Sequence, residues 1–144
     1  MEISSEESDL PQALFDALFP LLGLVHAART LSPGKIGILR TLAADEHVSA
    51  TRLSQVIGVS QQAISLSTKE LESLGLIERH KADVDRRKLW FRLTKAGQQK
   101  LDSEIQQGRE ALKKAIGNEL NHKELKLIHD AIPALTKIKT AAAR

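Results

Sequence analysis

Ser60, Gln61, Gln62, Ser65, Leu66 and Lys69 lie close together, and on a helix that Ser60 caps, its hydroxyl and free amides toward phosphate, and that buries Ile64, Leu71 and Leu74, the other five turn outward. Glutamine can make a bidentate contact to adenine in a DNA major groove, serine can pair with several bases, and leucine can touch a thymine methyl. A second cluster, Asp85-Arg86-Arg87-Lys88, is a charged loop. A narrow minor groove concentrates negative potential and attracts an inserted arginine, a role that suits Arg87, while Asp85 can hold the loop by accepting hydrogen bonds. Arg86 then lies nearer the backbone, and Lys88 and Lys69 are candidate phosphate partners. Ser49 and Thr51 sit where a helix amino terminus would turn free amides and hydroxyls toward phosphate. Each feature has a plainer explanation: helix caps for the serines, solvated side chains for the glutamines and lysines, and a charged hairpin for the loop. The elements that carry these residues therefore decide between the readings.

From Leu10 to Ala28 apolar residues recur at three- and four-residue steps, giving a helix that Pro20 should kink or divide into two segments. Ser32-Pro33 opens a second helix with Ile36, Leu39 and Leu42 inward, ending near Ala44. Val48 falls in a short connection, and Ser49 caps a brief helix that holds Leu53, Val56 and Ile57 and stops at Gly58. Ser60 caps the next helix, with Ala63, Ile64, Leu71 and Leu74 inward, which stops at Gly75. Two helices across so short a glycine turn form a helix-turn-helix. Leu76 to Lys81 and Lys88 to Thr94 read as strands of a hairpin, the second alternating Leu89, Phe91 and Leu93 with Lys88, Trp90 and Arg92. Thr94 caps a long helix with Leu101, Ile105, Leu112 and Ile116 in one row and Gly108 at a close approach. Asn121 and Glu124 form a capping-box pair that opens a last helix, with Pro133 inside it.

The chain has 144 residues, a size for one small domain that gains from oligomerising, and only 3% aromatics, so its core rests on Leu, Ile, Val and Ala. Net charge is only +3, but its distribution is uneven. Residues 2 to 16 are acidic without a basic residue, whereas Arg79, Lys81, Arg86, Arg87, Lys88, Arg92, Lys95 and Lys100 cluster around the hairpin. No apolar run approaches the length of a membrane span and the amino terminus lacks a signal pattern, so a cytoplasmic protein is expected. Cysteine is absent, which excludes thiolate metal sites and thiol switches. His26, His47, His80, His122 and His129 do not fall at zinc-ligand spacings, so no metal and no cofactor are expected. Trp90, beside arginines, suits packing under their stems better than base stacking. There is no phosphate-cradling glycine loop, nucleophile elbow or helical His-Glu-x-x-His, so an enzyme is not expected.

The order of elements resembles the MarR family of multiple antibiotic resistance regulators, and three stretches carry the resemblance. Leu31-Ser32-Pro33 leading into Ile38-Leu39 is similar to that family's second-helix entry. Leu71 to Arg79 is similar to its recognition-helix exit, and Asp85-Arg86-Arg87 with Leu93-Thr94-Lys95-Ala96-Gly97 to its wing tip and wing exit. The resemblance implies a mainly α fold with a small β-hairpin wing, a winged helix-turn-helix with flanking dimerisation helices. Residues 1–30 and 98–144 would form the dimerisation region and 31–97 the winged helix region, with the helix-turn-helix at about 49–75 and the wing at about 76–94. It further implies a homodimer joined through Leu10, Leu14, Leu18, Leu21, Leu125, Ile128, Ile132 and Leu135. Double-stranded DNA with a pseudo-palindromic operator would be the partner, repression the outcome, and a small-molecule effector would act between the dimer helices and the winged region. At Leu66 the sequence departs from the family, whose members often place arginine or another polar residue there. The alternative reading is a winged helix for non-specific DNA architecture or for protein contact.

Overall fold

The computed structural model describes residues 5–80 and 88–142, with side chains from residue 9 to 141. Its helices and strands follow in the order α1 (Ser5–Ala27), α2 (Pro33–Ala44), β1 (Val48–Ser49), α3 (Ala50–Ile57), α4 (Gln61–Ser73), β2 (Ile77–His80), β3 (Trp90–Leu93), α5 (Lys95–Glu119) and α6 (His122–Ala142). Local signals set most of these bounds. The Ser32 hydroxyl accepts from the Lys35 amide, Ser49 from Arg52, Ser60 from Ala63 and Thr94 from Gly97, each meeting a first-turn donor that the helix leaves unpaired. Gly58 ends α3 at φ +74°, in the left-handed region where a side chain is strained. Asn121 and Glu124 exchange side-chain and backbone hydrogen bonds at the start of α6, the reciprocal capping pair expected there.

The core lies between α2, the helix-turn-helix and the sheet. Ile36, Ile38, Leu39 and Leu42 from α2 meet Leu53 of α3, Ile64 and Leu71 of α4, Ile77 and Phe91 of the hairpin, and Leu101 of α5. The sheet is antiparallel and three-stranded in the order β1-β3-β2. Val48 pairs with Phe91 and Ser49 with Trp90, while Ile77 pairs with Leu93 and His80 with Trp90.

Several sequence expectations need correction. Val48 is not in a connection but in a strand, because Val48 is buried and its backbone pairs with Phe91. Helix α1 is one continuous helix through Pro20 rather than two segments, and α6 contains Pro133 as expected. Strand β2 starts at Ile77 rather than Leu76, with Lys81 outside the described residues, and β3 is shorter than expected, so that Leu89, exposed, lies just before it. Leu74 is 59% exposed because the chain leaves the helix at that residue and Leu76 and Ile77 fill the core instead. Val56 is exposed because Leu53 and Ile57 already supply the inward face of the short α3. Ile116, near the far end of α5, also faces outward.

The expectation about run length needs correction too, since Asp9–Ala27 is long and apolar enough to cross a bilayer by length and composition alone, with mean hydropathy 1.3 over 19 residues. In the fold the carboxyl end of α1 packs on α5 at Gly108, where an added Cβ would stand 2.9 Å from Val25 Cγ1.

Candidate nucleic-acid interface

The helix-turn-helix is built around two glycine turns. Gly58 turns α3 toward α4, and Ser54 tightens that turn by donating its hydroxyl to the Val59 carbonyl at 2.6 Å. Gly75, at φ +73°, turns the end of α4 into β2. With Ile64, Thr68 and Leu71 buried, α4 presents Gln61, Gln62, Ser65, Leu66 and Lys69 to solvent, the arrangement that the periodicity predicts. Thr68 keeps a hydroxyl in the core by donating it to the Ile64 carbonyl at 2.8 Å, so its burial leaves no unpaired donor.

A hydroxyl joins the two ends of the hairpin. Thr94 Oγ1 donates to the Gly75 carbonyl at 2.7 Å while accepting from the Gly97 amide at 3.0 Å, and the Thr94 amide bonds the Leu76 carbonyl at 3.1 Å. An added Cβ at Gly97 would stand 2.0 Å from the Leu76 carbonyl oxygen, so only glycine lets α5 start this close to β2. These contacts give the sequence pattern Leu-Gly-Leu followed by Leu-Thr-x-x-Gly a physical meaning. They fix the exit of α4, the hairpin and the start of α5 as one rigid corner.

The charges around this corner are more balanced than their sequence clustering indicates. Arg79 bonds both carboxylate oxygens of Glu72, at 2.8 and 2.9 Å, and Arg92 pairs with Glu78 across the strands. Lys35 pairs with Glu70 and ties α2 to α4. Lys69, Lys88 and Lys95 are exposed and have no ion pair among the described residues, which leaves them able to meet phosphates. Exposed Arg52, on the first turn of α3 beside Thr51, joins this group. It escaped the sequence reading, although its place at the opening of a capped helix was a usable signal.

The remaining expected contact residues are distributed unevenly. Ser60 and Thr51 are exposed, but Ser49 is buried in β1 with its hydroxyl committed to capping α3. Asp85, Arg86 and Arg87 lie outside the described residues, and Lys88 is the first described residue after them. Trp90 is half-buried within β3. Two histidines that spacing did not connect meet at the edge of the hairpin, His47 Nδ1 lying 2.7 Å from His80 Nε2. Burial, then His47 and Arg92, push the His80 pKa below its ordinary value, with Glu78 opposing them.

A hairpin beside a helix-turn-helix, with the second helix exposing its polar face, defines the winged helix class. A family model for the winged helix DNA-binding domain matches residues 35–116, more than half of the chain, and the chain belongs to that family. It is similar to YdgJ of Bacillus subtilis, an uncharacterised HTH-type transcriptional regulator, with 24% identity covering 89% of this chain and 77% of the relative. Among solved structures it resembles a mutant form of MarR from E. coli at a TM-score of 0.74, with 17% identity over 94% of this chain and 99% of that one. It also resembles RV1404 from Mycobacterium tuberculosis at a TM-score of 0.78, with 21% identity over 100% of this chain and 97% of that one. The fold is thus that of the MarR-type regulators, helical at both ends around a winged helix, as the sequence resemblance implied.

Proposed function

We propose that the protein is a transcriptional regulator that binds a pseudo-palindromic operator as a homodimer, placing α4 in the major groove and the hairpin tip over the adjacent minor groove. The observation that carries this reading is the outward face of α4. Its Gln61, Gln62, Ser65, Leu66 and Lys69 take no part in the core, yet stand on a helix anchored by Ile64, Thr68 and Leu71. Lys69, Lys88, Thr51 and Arg52 suit phosphates on either side. Arg87 is assigned to the minor groove and Arg86 to the backbone on the sequence argument alone.

The homodimer is supported by the apolar residues that α1 and α6 leave in solvent. Leu10, Leu18, Leu21, Leu125, Ile128 and Ile132 are all exposed, and Leu14 and Leu135 half-buried. Repression is the outcome we assign, since a dimer covering an operator excludes other proteins from it. A small-molecule effector would fit the cleft of about 460 Å³ between the end of α1 and α5, lined by Ala28, Ser103, Gln106, Gln107, Glu110, Ala111 and Lys114. Gln107 Oε1 there, and Arg29 Nε and His26 Nδ1 on α1 and the turn after it, are buried without a hydrogen-bond partner among the described residues. The reading is tested by competition between a selected duplex and random duplex: a regulator prefers the first by orders of magnitude, whereas an architectural protein binds both alike.

A further inference from the structure

The outward face of α4 has an apolar summit. An α-helix advances about 100° per residue, so Leu66 stands about 200° around from Ile64, directly opposite the side that Ile64, Thr68 and Leu71 bury. Gln62 lies one turn earlier on the same line. Leu66 is 60% exposed and does not belong to the core cluster. On a helix seated in a major groove, the crest opposite the core meets base edges, while residues on its flanks meet phosphates. The apolar group on a major-groove floor is the C5 methyl of thymine.

We propose that Leu66 is a specificity-determining residue that selects a thymine methyl at one position of each half-site. The proposal rests on the reading above that α4 enters the major groove. Gln62, beside it on the crest, suits the N6 and N7 atoms of adenine at a neighbouring pair, so the centre of each half-site is rich in A·T pairs. A polar residue at this place would read a donor or acceptor. Leucine instead reads shape and loses contact when the methyl is missing.

The test uses the full chain and duplexes selected by it from a random pool, resynthesised with deoxyuridine replacing one thymine at a time in both half-sites. Deoxyuridine pairs as thymine does and lacks only the methyl. One thymine position is expected at which this change weakens binding about fourfold per half-site, the factor for exposing one methyl-sized apolar group. In Leu66→Ala that penalty should vanish while penalties at the other thymines persist, and Leu66→Gln should lose the methyl dependence in the same way. Both substitutions are at a solvent-exposed position, and circular dichroism is the check that the variants fold. At a site carrying cytosine in place of the sensitive thymine, 5-methylcytosine should recover binding for the unaltered protein and not for the variants. The proposal is overturned if no thymine is methyl-sensitive, or if Leu66→Ala and Leu66→Gln keep the same sensitivity, an outcome that would leave the exposed leucine as a protein contact. Failure of the selection to enrich any site would overturn the DNA reading as well, which separates the two failures.

Discussion

Glu104 has no solvent exposure, yet its carboxylate is fully engaged. It accepts from the Thr30 and Leu31 amides at 3.1 and 3.3 Å, from the Thr30 hydroxyl, and from Lys100 Nζ at 2.9 Å. Burial opposes its ionisation, but the hydrogen bonds from Thr30, Lys100 and Leu31 outweigh that and hold its pKa below the ordinary 4.5. The unfolded chain therefore binds this proton more readily. The carboxylate's contribution to stability is complete above pH 4.5 and is lost as pH falls through the folded-state value. Glu104→Gln keeps one acceptor oxygen and removes the charge. It should lower stability at neutral pH by about 1–3 kcal/mol and flatten the acid side of the stability profile. Urea unfolding at a series of pH values checks both, and an unchanged acid limb would refute the assignment. In the sequence Glu104 looks like one more surface charge of a long helix. Nothing local shows that the turn after α1 folds onto it.

At the scale of elements, the corner where α4, the hairpin and α5 meet depends on Gly97. Gly97→Ala would force its Cβ against the Leu76 carbonyl oxygen, which belongs to backbone and cannot swing aside as a side chain can. A loss of stability of about 3 kcal/mol, at the upper end for overpacking, is expected in thermal or urea unfolding. Gly108→Ala first meets the Val25 and Arg29 side chains, which can shift, and should cost less. Equal losses at the two positions would contradict this account of the corner. The helix starts at Ser32, Ser60 and Thr94 and the stops at Gly58 and Gly75 were legible in the sequence because caps and left-handed turns are local chemistry. So was the outward face of α4, since burial follows a fixed period on a helix. Strand β1 was not legible, because two residues are too short to show alternation and Val48 and Ser49 are recruited by β3 across the chain. The His47–His80 contact joins residues 33 apart and leaves no mark in their spacing. Leu74 looked like part of an inward stripe because periodicity cannot say where a helix yields to the next strand.

At the scale of the molecule, the proposed homodimer would cover the exposed apolar residues of α1 and α6. Leu18→Asp combined with Ile132→Asp places charges at positions exposed in the single chain, so the winged helix should still fold while the dimer dissociates. Sedimentation equilibrium should find a dimer for the unaltered protein and a monomer for the variant, and a variant that stays fully dimeric would place the interface elsewhere. The central claim is that this surface reads DNA sequence, and it is tested most directly by competition titrations of the full chain on its selected duplex and on random duplex at several salt concentrations. The account predicts at least about a thousandfold preference for the selected duplex at physiological salt, alongside a steep loss of affinity for both as salt rises. Binding that depends on salt alone, with equal affinity for the two duplexes, would contradict it.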